Sequence, residues 1–261
     1  KLIISSISVM SNSDIRSLTL ATAGHVDHGK TSLVSNITNK DTDSLAEEKA
    51  RGLTINLGYA YHHFSDSEGN NNIVGFVDVP GHTDFINNML AGVSSVDAAL
   101  LVVAADDGIM PQTKEHLAIL DLLEIPRGVI ALTKVDRCDD QRITAVTQEI
   151  KDLLSPTSLA GSCIFPISNQ SKVGIPALIQ HLEKLLTSSN LSDSKNSLNY
   201  FRYLIDRSFS VKGIGTVVTG TVRAGYAAIA QQVLHSTSEQ STRLRSLMQD
   251  SVALDSCHKG Q

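Results

Sequence analysis

Short aliphatic runs alternate along most of the chain with stretches of helical period. The runs Leu18–Ala23, Leu57–Phe64, Ile73–Asp78, Ala98–Ala105, Gly128–Thr133 and Ile164–Ser168 are apolar or β-prone and bounded by turn residues. That pattern predicts strands. The run AALLVVAA (98–105) contains no polar residue and predicts a central strand buried on both faces. Between the runs, the segment from about Lys30 to Asn36 and the segments Thr83–Ala91, Gln112–Leu123, Asp140–Leu154 and Gly174–Thr187 repeat their apolar positions every three to four residues, which predicts helices. Strand–helix alternation predicts an α/β fold, a mostly parallel sheet with helices on both faces. The pattern breaks at Thr187–Asn199 (TSSNLSDSKNSLN), which reads as a linker. Beyond it, Tyr200–Val211 and Gly215–Val222 show Thr/Val-rich alternation punctuated by Gly, which predicts an all-β barrel. No closing strand is evident after Val222, so this barrel is expected to be incomplete. Residues 1–16 are set aside as an N-terminal extension, with Met10 as a candidate start. The expected domains are therefore 17–188, a linker over 189–199, and a barrel over 200–261.

Composition narrows the class. Apolar residues are 41% and charged residues 19%, a globular balance that excludes a mainly disordered chain. Aromatics are 4% and Trp is absent, so the core must be aliphatic. No apolar run reaches the ~18 residues that span a bilayer. Cys138, Cys163 and Cys257 are widely spaced and form no CxxC pair. This argues against a disulfide framework or zinc cluster, fits a reducing, cytoplasmic compartment, and reads the cysteines as small buried hydrophobes. The net charge of −5 excludes a uniformly basic nucleic-acid coat. From Tyr200 onward, seven basic residues face four acidic ones, leaving the preceding body at −8. A mildly basic tail of this kind can touch RNA or be plain solvated surface.

The chemistry lies in the loops. Gly24-His25-Val26-Asp27-His28-Gly29-Lys30-Thr31 matches GxxxxGK[ST] between a predicted strand and a predicted helix. Its glycines let backbone N–H groups of residues 25–29, with those of Lys30, Thr31 and Ser32 at the helix N-terminus, cradle phosphate oxygens. Lys30 can reach the β- and γ-phosphates, and the Thr31 hydroxyl can ligate Mg²⁺. Alone, this loop says only nucleotide, and an ATP-using enzyme such as a kinase stays open. Asp78-Val79-Pro80-Gly81-His82 follows a second strand. Asp78 can hold Mg²⁺ through water, and Gly81 can set a backbone N–H against a γ-phosphate. A lone histidine is usually a packed or surface imidazole, but these neighbours let His82 orient an attacking water. Thr133-Lys134-Val135-Asp136 follows a third strand. The Asp136 carboxylate can accept both guanine N1–H and N2–H₂, donors that adenine lacks there, and the Lys134 stem can lie on the base. The polar segment Asp41–Ile55, with Arg51-Gly52-Leu53-Thr54 near its end, can order around Mg²⁺ and γ-phosphate, with Thr54 as its sensor. His62 and His63 are adjacent and point to opposite faces of a strand, so they make no metal pair.

GHVDHGKT (24–31), RGLTI (51–55), DVPGH (78–82) and TKVD (133–136), in this order, resemble the translational GTPases of the elongation-factor type. The longer runs RGLTINLGYAY (51–61), NMLAGVSSVDAALLVVAADDGIMPQTKEHLAIL (88–120) and IDRSFSVKGIGTVVTGT (205–221) resemble the selenocysteine-specific elongation factors. Elongation factor Tu shares the first loop but diverges after RGLTIN, and its base motif begins with Asn where Thr133 stands here. The resemblance covers about residues 18–261. It implies a P-loop GTPase domain and a barrel domain II that bind GTP or GDP with Mg²⁺ and deliver selenocysteyl-tRNA to the ribosome. It also implies a second barrel and, in bacterial members, C-terminal winged-helix modules that grip a selenoprotein mRNA hairpin, all absent from this sequence. By resemblance His82 is the catalytic histidine, Asp78 and Gly81 belong to the γ-phosphate-sensing loop, and Ser168 opens the strand-end motif that supports guanine. That motif is usually Ser-Ala or Thr-Ala; here it is Ser168-Asn169. Asp206 and Arg207 match positions of the aminoacyl-tRNA pocket. A selenol is more acidic than a thiol (~8.5), so an Arg fork there favours the selenolate over a serine hydroxyl. The alternative for Arg207 is a salt bridge with Asp206. A Gly-Asp turn common in the family is missing near Ala230-Gln231. A general elongation factor, the gamma subunit of an initiation factor, and a GTP-dependent RNA-binding switch without efficient turnover remain as alternatives.

Overall fold

The computed structural model describes residues 2–6, 16–42, 54–66, 69, 71–93, 96–188, 200–249 and 252–261. The linker over 189–199, most of the 1–16 stretch and positions 51–53 of the RGLTI motif lie outside them. The chain divides into two compact units, one within 18–63 and 74–185, the other within 1–17, 64–73 and 186–261.

The first strand, β1 (Leu2–Ser6), belongs to the second unit. The six-stranded sheet contains β2 (Arg16–Ala23), β3 (Gly58–Ser65), β4 (Asn71–Asp78), β5 (Ala98–Ala104), β6 (Gly128–Thr133) and β7 (Cys163–Pro166), in the order β3-β4-β2-β5-β6-β7. The pairs β2–β5, β5–β6 and β6–β7 are parallel, with Leu20 opposite Ala98, Ala99 opposite Gly128 and Val129 opposite Cys163. Parallel pairing brings the carboxyl ends of these four strands to one edge, and the motifs at 24–31, 133–136 and 168–169 follow the ends of β2, β6 and β7. All of β5 is buried, which its aliphatic run requires of a central strand. The helices start where local chemistry allows. Pro111 occupies the first turn of Pro111–Leu122, and the Asp139 carboxylate caps Asp140–Leu154 by accepting the Arg142 N–H at 2.8 Å. The helix expected over Thr83–Ala91 opens as a 3-10 turn, Thr83–Phe85, and continues as Ile86–Val93. No helix among the described residues is long and apolar enough to cross a membrane.

From residue 200 onward, the described residues of the second unit form strands and turns only. Its strands are β8 (Phe201–Val211), β9 (Gly215–Ala224), β10 (Tyr226–Ala228), β11 (Gln232–His235), β12 (Ser241–Arg243), β13 (Leu247–Gln249), β14 (Val252–Leu254) and β15 (Ser256–His258). They form a five-stranded sheet ordered β12-β11-β1-β8-β9 and two small pairs, β10-β15 and β13-β14. Phe201, Val222, Ala227, Val233 and Cys257 make its small core. β1 lies antiparallel to both β8 and β11, so part of the stretch set aside as an extension completes a ladder. The three-residue strands after β9 are too short to show alternation in the sequence. Ala230 takes a left-handed φ of 70°, at the turn where the family pattern has Gly. All three cysteines are free, but only Cys257 is buried; Cys163 is exposed, which corrects the expectation of three buried hydrophobes.

Candidate functional site

The loop between β2 and the helix Lys30–Thr38 is fixed from both sides. A Cβ on Gly24 would strike the Val102 carbonyl oxygen, and its φ is +129°, so only glycine fits. The Gly24 N–H donates to His116 Nδ1 at 3.0 Å. Lys30 Nζ donates to the carbonyls of Gly24 at 3.2 Å and His25 at 2.8 Å. Gly81 lies so close that a Cβ there would run into Lys30 Nζ and come within 2.9 Å of the Val26 nitrogen. The loop after β4 therefore packs directly against the phosphate loop.

Beside it stands a set of oxygen donors. The Thr31 and Thr54 hydroxyls are 2.9 Å apart. Asp78 is fully buried, and its two carboxylate oxygens accept the hydroxyls of Thr22 at 2.8 Å and Thr42 at 2.7 Å. The Thr22 hydroxyl also accepts the Val79 N–H at 3.0 Å. Val26, Asp27, Gly29, Lys30, Thr31, Ser32, Thr54, Gly81 and Asn169 line one cavity of about 660 Å³, together with Ser35, Asn36, Asp41 and Gln170. That volume suits a small organic ligand, and its lining joins motifs up to 143 positions apart.

Other expected residues stand behind or beside the cavity. His28 is buried beneath the loop, its Nδ1 3.4 Å from the Val102 carbonyl. His25 lies edge-on to it, with ring centres 5.0 Å apart. Thr133 is buried and donates to the His28 carbonyl at 2.7 Å, so it supports the phosphate loop through its hydroxyl. Lys134 takes a left-handed φ of 56° and pairs with Asp106 at 3.4 Å and Asp107 at 3.2 Å. Asp136 is exposed on the 3-10 turn Val135–Arg137. Ser168 is buried and its hydroxyl accepts the Ser171 N–H at 3.2 Å. His82 does not line the cavity: its Nδ1 accepts the Asp84 N–H at 3.2 Å. In the second unit, Asp206 is the extra residue of a β-bulge and accepts the Thr219 hydroxyl at 2.6 Å, while Arg207 is exposed.

Thr22, Thr42, Asn36 and His116 are the residues that sequence reasoning missed. His116 had a visible signal: it shares the buried stripe Thr113, His116, Leu117, Leu120 on its helix, a histidine where an apolar residue is expected. Burial pushes the His116 pKa down to about 4, aided by the Lys30 and His25 charges. Burial likewise takes His28 to about 4. Neutral His116 is what the geometry needs, because a protonated ring would face the Gly24 N–H with a second donor. Both folded values lie below the 6.5 of free imidazole, so the unfolded chain takes up these protons first. The stability they confer is complete above about pH 6.5 and is lost as pH falls toward 4, about 3 kcal/mol for each at full protonation. Urea unfolding between pH 7.5 and 5 should show midpoints falling with pH, and His116→Asn, which keeps an acceptor, should flatten that slope. A pH-independent midpoint in the native chain would contradict this account.

Residues 15–188 match the family model of the elongation factor Tu GTP binding domain. The chain is 43% identical over 242 residues to the selenocysteine-specific elongation factor of Escherichia coli (strain K12), covering 93% of this chain and 38% of that protein. Its identity with the selenocysteine-specific elongation factor of Methanocaldococcus jannaschii is 36% over 225 residues, covering 84% of this chain and 46% of the relative. The crystal structure of a bacterial selenocysteine-specific elongation factor superposes with a TM-score of 0.83 at 36% identity, over 94% of this chain and 41% of that one. That of the translation elongation factor SelB from Methanococcus maripaludis, in complex with the GTP analogue GppNHp, gives 0.78 at 30% identity, over 95% of this chain and 51% of that one. The chain thus spans less than half the length of these two sequence relatives.

Proposed function

The chain belongs to the elongation factor Tu GTP-binding domain family, and from that premise we propose that it is the GTP-hydrolysing part of a factor that delivers selenocysteyl-tRNA to the ribosome. One observation carries the nucleotide reading: phosphate-loop residues, Thr54, Gly81 and Asn169, far apart in sequence, line one cavity. Lys30 Nζ lies over the loop, donating to two of its carbonyls, where a polyphosphate would supply a charge-assisted partner. Backbone N–H groups of the loop and of the helix N-terminus would hold the remaining phosphate oxygens. Asp136 would take the guanine edge, with Lys134 lying along the base. The 17–188 segment would then be the GTPase domain and 200–261 part of domain II.

Mg²⁺ fits the donor set. Thr31, Thr54 and Asp78 offer only hard oxygens. Each Asp78 oxygen accepts one hydroxyl and keeps a lone pair for a metal-bound water. The ion would offset charge that develops on the phosphate oxygens. Thr54 and Gly81 would hold the closed state, and His82 would orient water. Titration with GTP, GDP and ATP in Mg²⁺ tests this reading: tight GTP and GDP binding with no measurable ATP binding is expected, and equal ATP affinity would overturn it.

The cargo rests on the named relatives and on Arg207 in the second unit. An exposed guanidinium beside Asp206 can meet a selenolate, which a serine hydroxyl cannot mimic at neutral pH. A charge-assisted bond of this kind contributes about 1.5–3 kcal/mol, or roughly 10- to 100-fold. The full-length protein should bind tRNA charged with selenocysteine tighter than the same tRNA charged with serine by at least ~10-fold, with Arg207→Ala erasing the difference. Equal affinity for the two charged tRNAs would remove the assignment. The same tRNAs and mRNA hairpins, offered to the full-length protein, distinguish it from a general elongation factor or an initiation factor.

A further inference from the structure

We propose that Asn169 is a positioning residue that couples recognition of the base to the grip on the phosphates. The inference rests on the guanine-nucleotide reading above and adds a residue to it. The carboxyl ends of β6 and β7 hold two successive carbonyls of the phosphate loop. Thr133 Oγ1 donates to the His28 carbonyl at 2.7 Å, and Asn169 Nδ2 donates to the Gly29 carbonyl at 3.1 Å. Asn36, nearly two turns along the phosphate-loop helix, donates back to the Asn169 carbonyl at 3.0 Å. The Asn169 side chain and backbone are thus tied to the same element at two points.

A trans peptide fixes what this does. Its C=O and N–H point in opposite directions, so an Asn169 that holds the Gly29 carbonyl also aims the Lys30 N–H the other way. Gly29 and Lys30 both line the cavity. The second lone pair of the Gly29 carbonyl is taken by the Leu33 N–H at 2.9 Å, the first bond of the helix. Glycine at position 29 admits the contact, since a Cβ there would lie 2.8 Å from Asn169 Nδ2. The loop that carries Asn169 is itself closed tightly: the Ser168 N–H reaches the Val173 carbonyl at 3.1 Å, and the Ser168 hydroxyl accepts the Ser171 N–H at 3.2 Å. It is joined to the base turn by the Val135 N–H, which donates to the Ile167 carbonyl at 3.3 Å. A base that orders Asp136 and the 168–173 loop therefore also orders the Gly29 peptide.

The test is stopped-flow release of fluorescently labelled GDP and IDP, because hypoxanthine lacks the 2-amino group that Asp136 would accept. In the native chain GDP should leave more slowly than IDP. In Asn169→Ala, GDP release should quicken about 10-fold and IDP release less than about 3-fold, so the ratio between them shrinks. Asn169→Asp keeps an acceptor near Asn36 but turns a carboxylate toward the Gly29 carbonyl, and should reproduce the alanine result or exceed it. Equal acceleration of both nucleotides, or unchanged release in both variants, would overturn the coupling. A native chain that releases GDP and IDP alike would overturn the guanine reading itself, and this proposal with it.

Discussion

Asp136→Asn is expected to lower GTP affinity by at least ~10²-fold and to bring binding of xanthosine nucleotides up by a similar factor. Asp136 sits on the turn Val135–Arg137, directly after the left-handed Lys134. Among the described residues its carboxylate has no ion pair and no hydrogen-bond donor, whereas neighbouring Lys134 is held by Asp106 and Asp107. Two free acceptor oxygens thus stand at the mouth of the base loop. Guanine presents N1–H and N2–H₂ to such a pair. Each hydrogen bond to a charged acceptor contributes about 1.5–3 kcal/mol, so losing both costs roughly 3–6 kcal/mol. Asparagine replaces one acceptor oxygen with a donor, which xanthine's 2-oxo group can accept. Equilibrium titration with GTP and XTP checks both halves, and unchanged GTP affinity would remove Asp136 from the base site. Because the side chain is exposed, the substitution should leave the melting temperature of the chain nearly unchanged. A folding defect therefore cannot imitate the specificity switch.

The strands of the nucleotide unit were legible because most are short aliphatic runs, and both ends of all six fall within two residues of those read from the pattern. Parallel pairing of β2, β5, β6 and β7 follows from the helices between them. Motif order then told which loops would meet. What periodicity could not show was how they are held. Thr22 and Thr42 are small polar residues in ordinary positions, and only the folded sheet brings both hydroxyls to Asp78. Asn169 read as a departure from a motif, and its donor function appears only once Gly29 is beside it. The second unit was less legible for a different reason: six of its strands have three or four residues, and β1 is distant from its partners in sequence. Register between such strands is set by long-range pairing, which no local window contains.

His82→Ala should leave GTP binding intact and reduce ribosome-stimulated hydrolysis by at least ~10²-fold. The side chain is 42% exposed and does not line the cavity, so nucleotide affinity does not draw on it. Its Nδ1 accepts the Asp84 N–H, and the Asp84 carboxylate lies 3.4 Å from the same atom. Phe85 packs nearby, with ring centres 6.2 Å apart. This arrangement leaves Nε2 as the nitrogen that can meet a water, but it aims the ring at the turn Thr83–Phe85 rather than at Gly81 and the loop. Orienting an attacking water therefore requires the ring to swing away from Asp84. Two consequences follow. Intrinsic hydrolysis by the free chain should be slow, and it should fall much less on His82→Ala than the ribosome-stimulated rate does. Single-turnover hydrolysis of GTP, with and without ribosomes, measures all four quantities. A His82→Ala variant that hydrolyses GTP on the ribosome at the native rate would transfer water positioning to another group and favour a switch that does not depend on turnover.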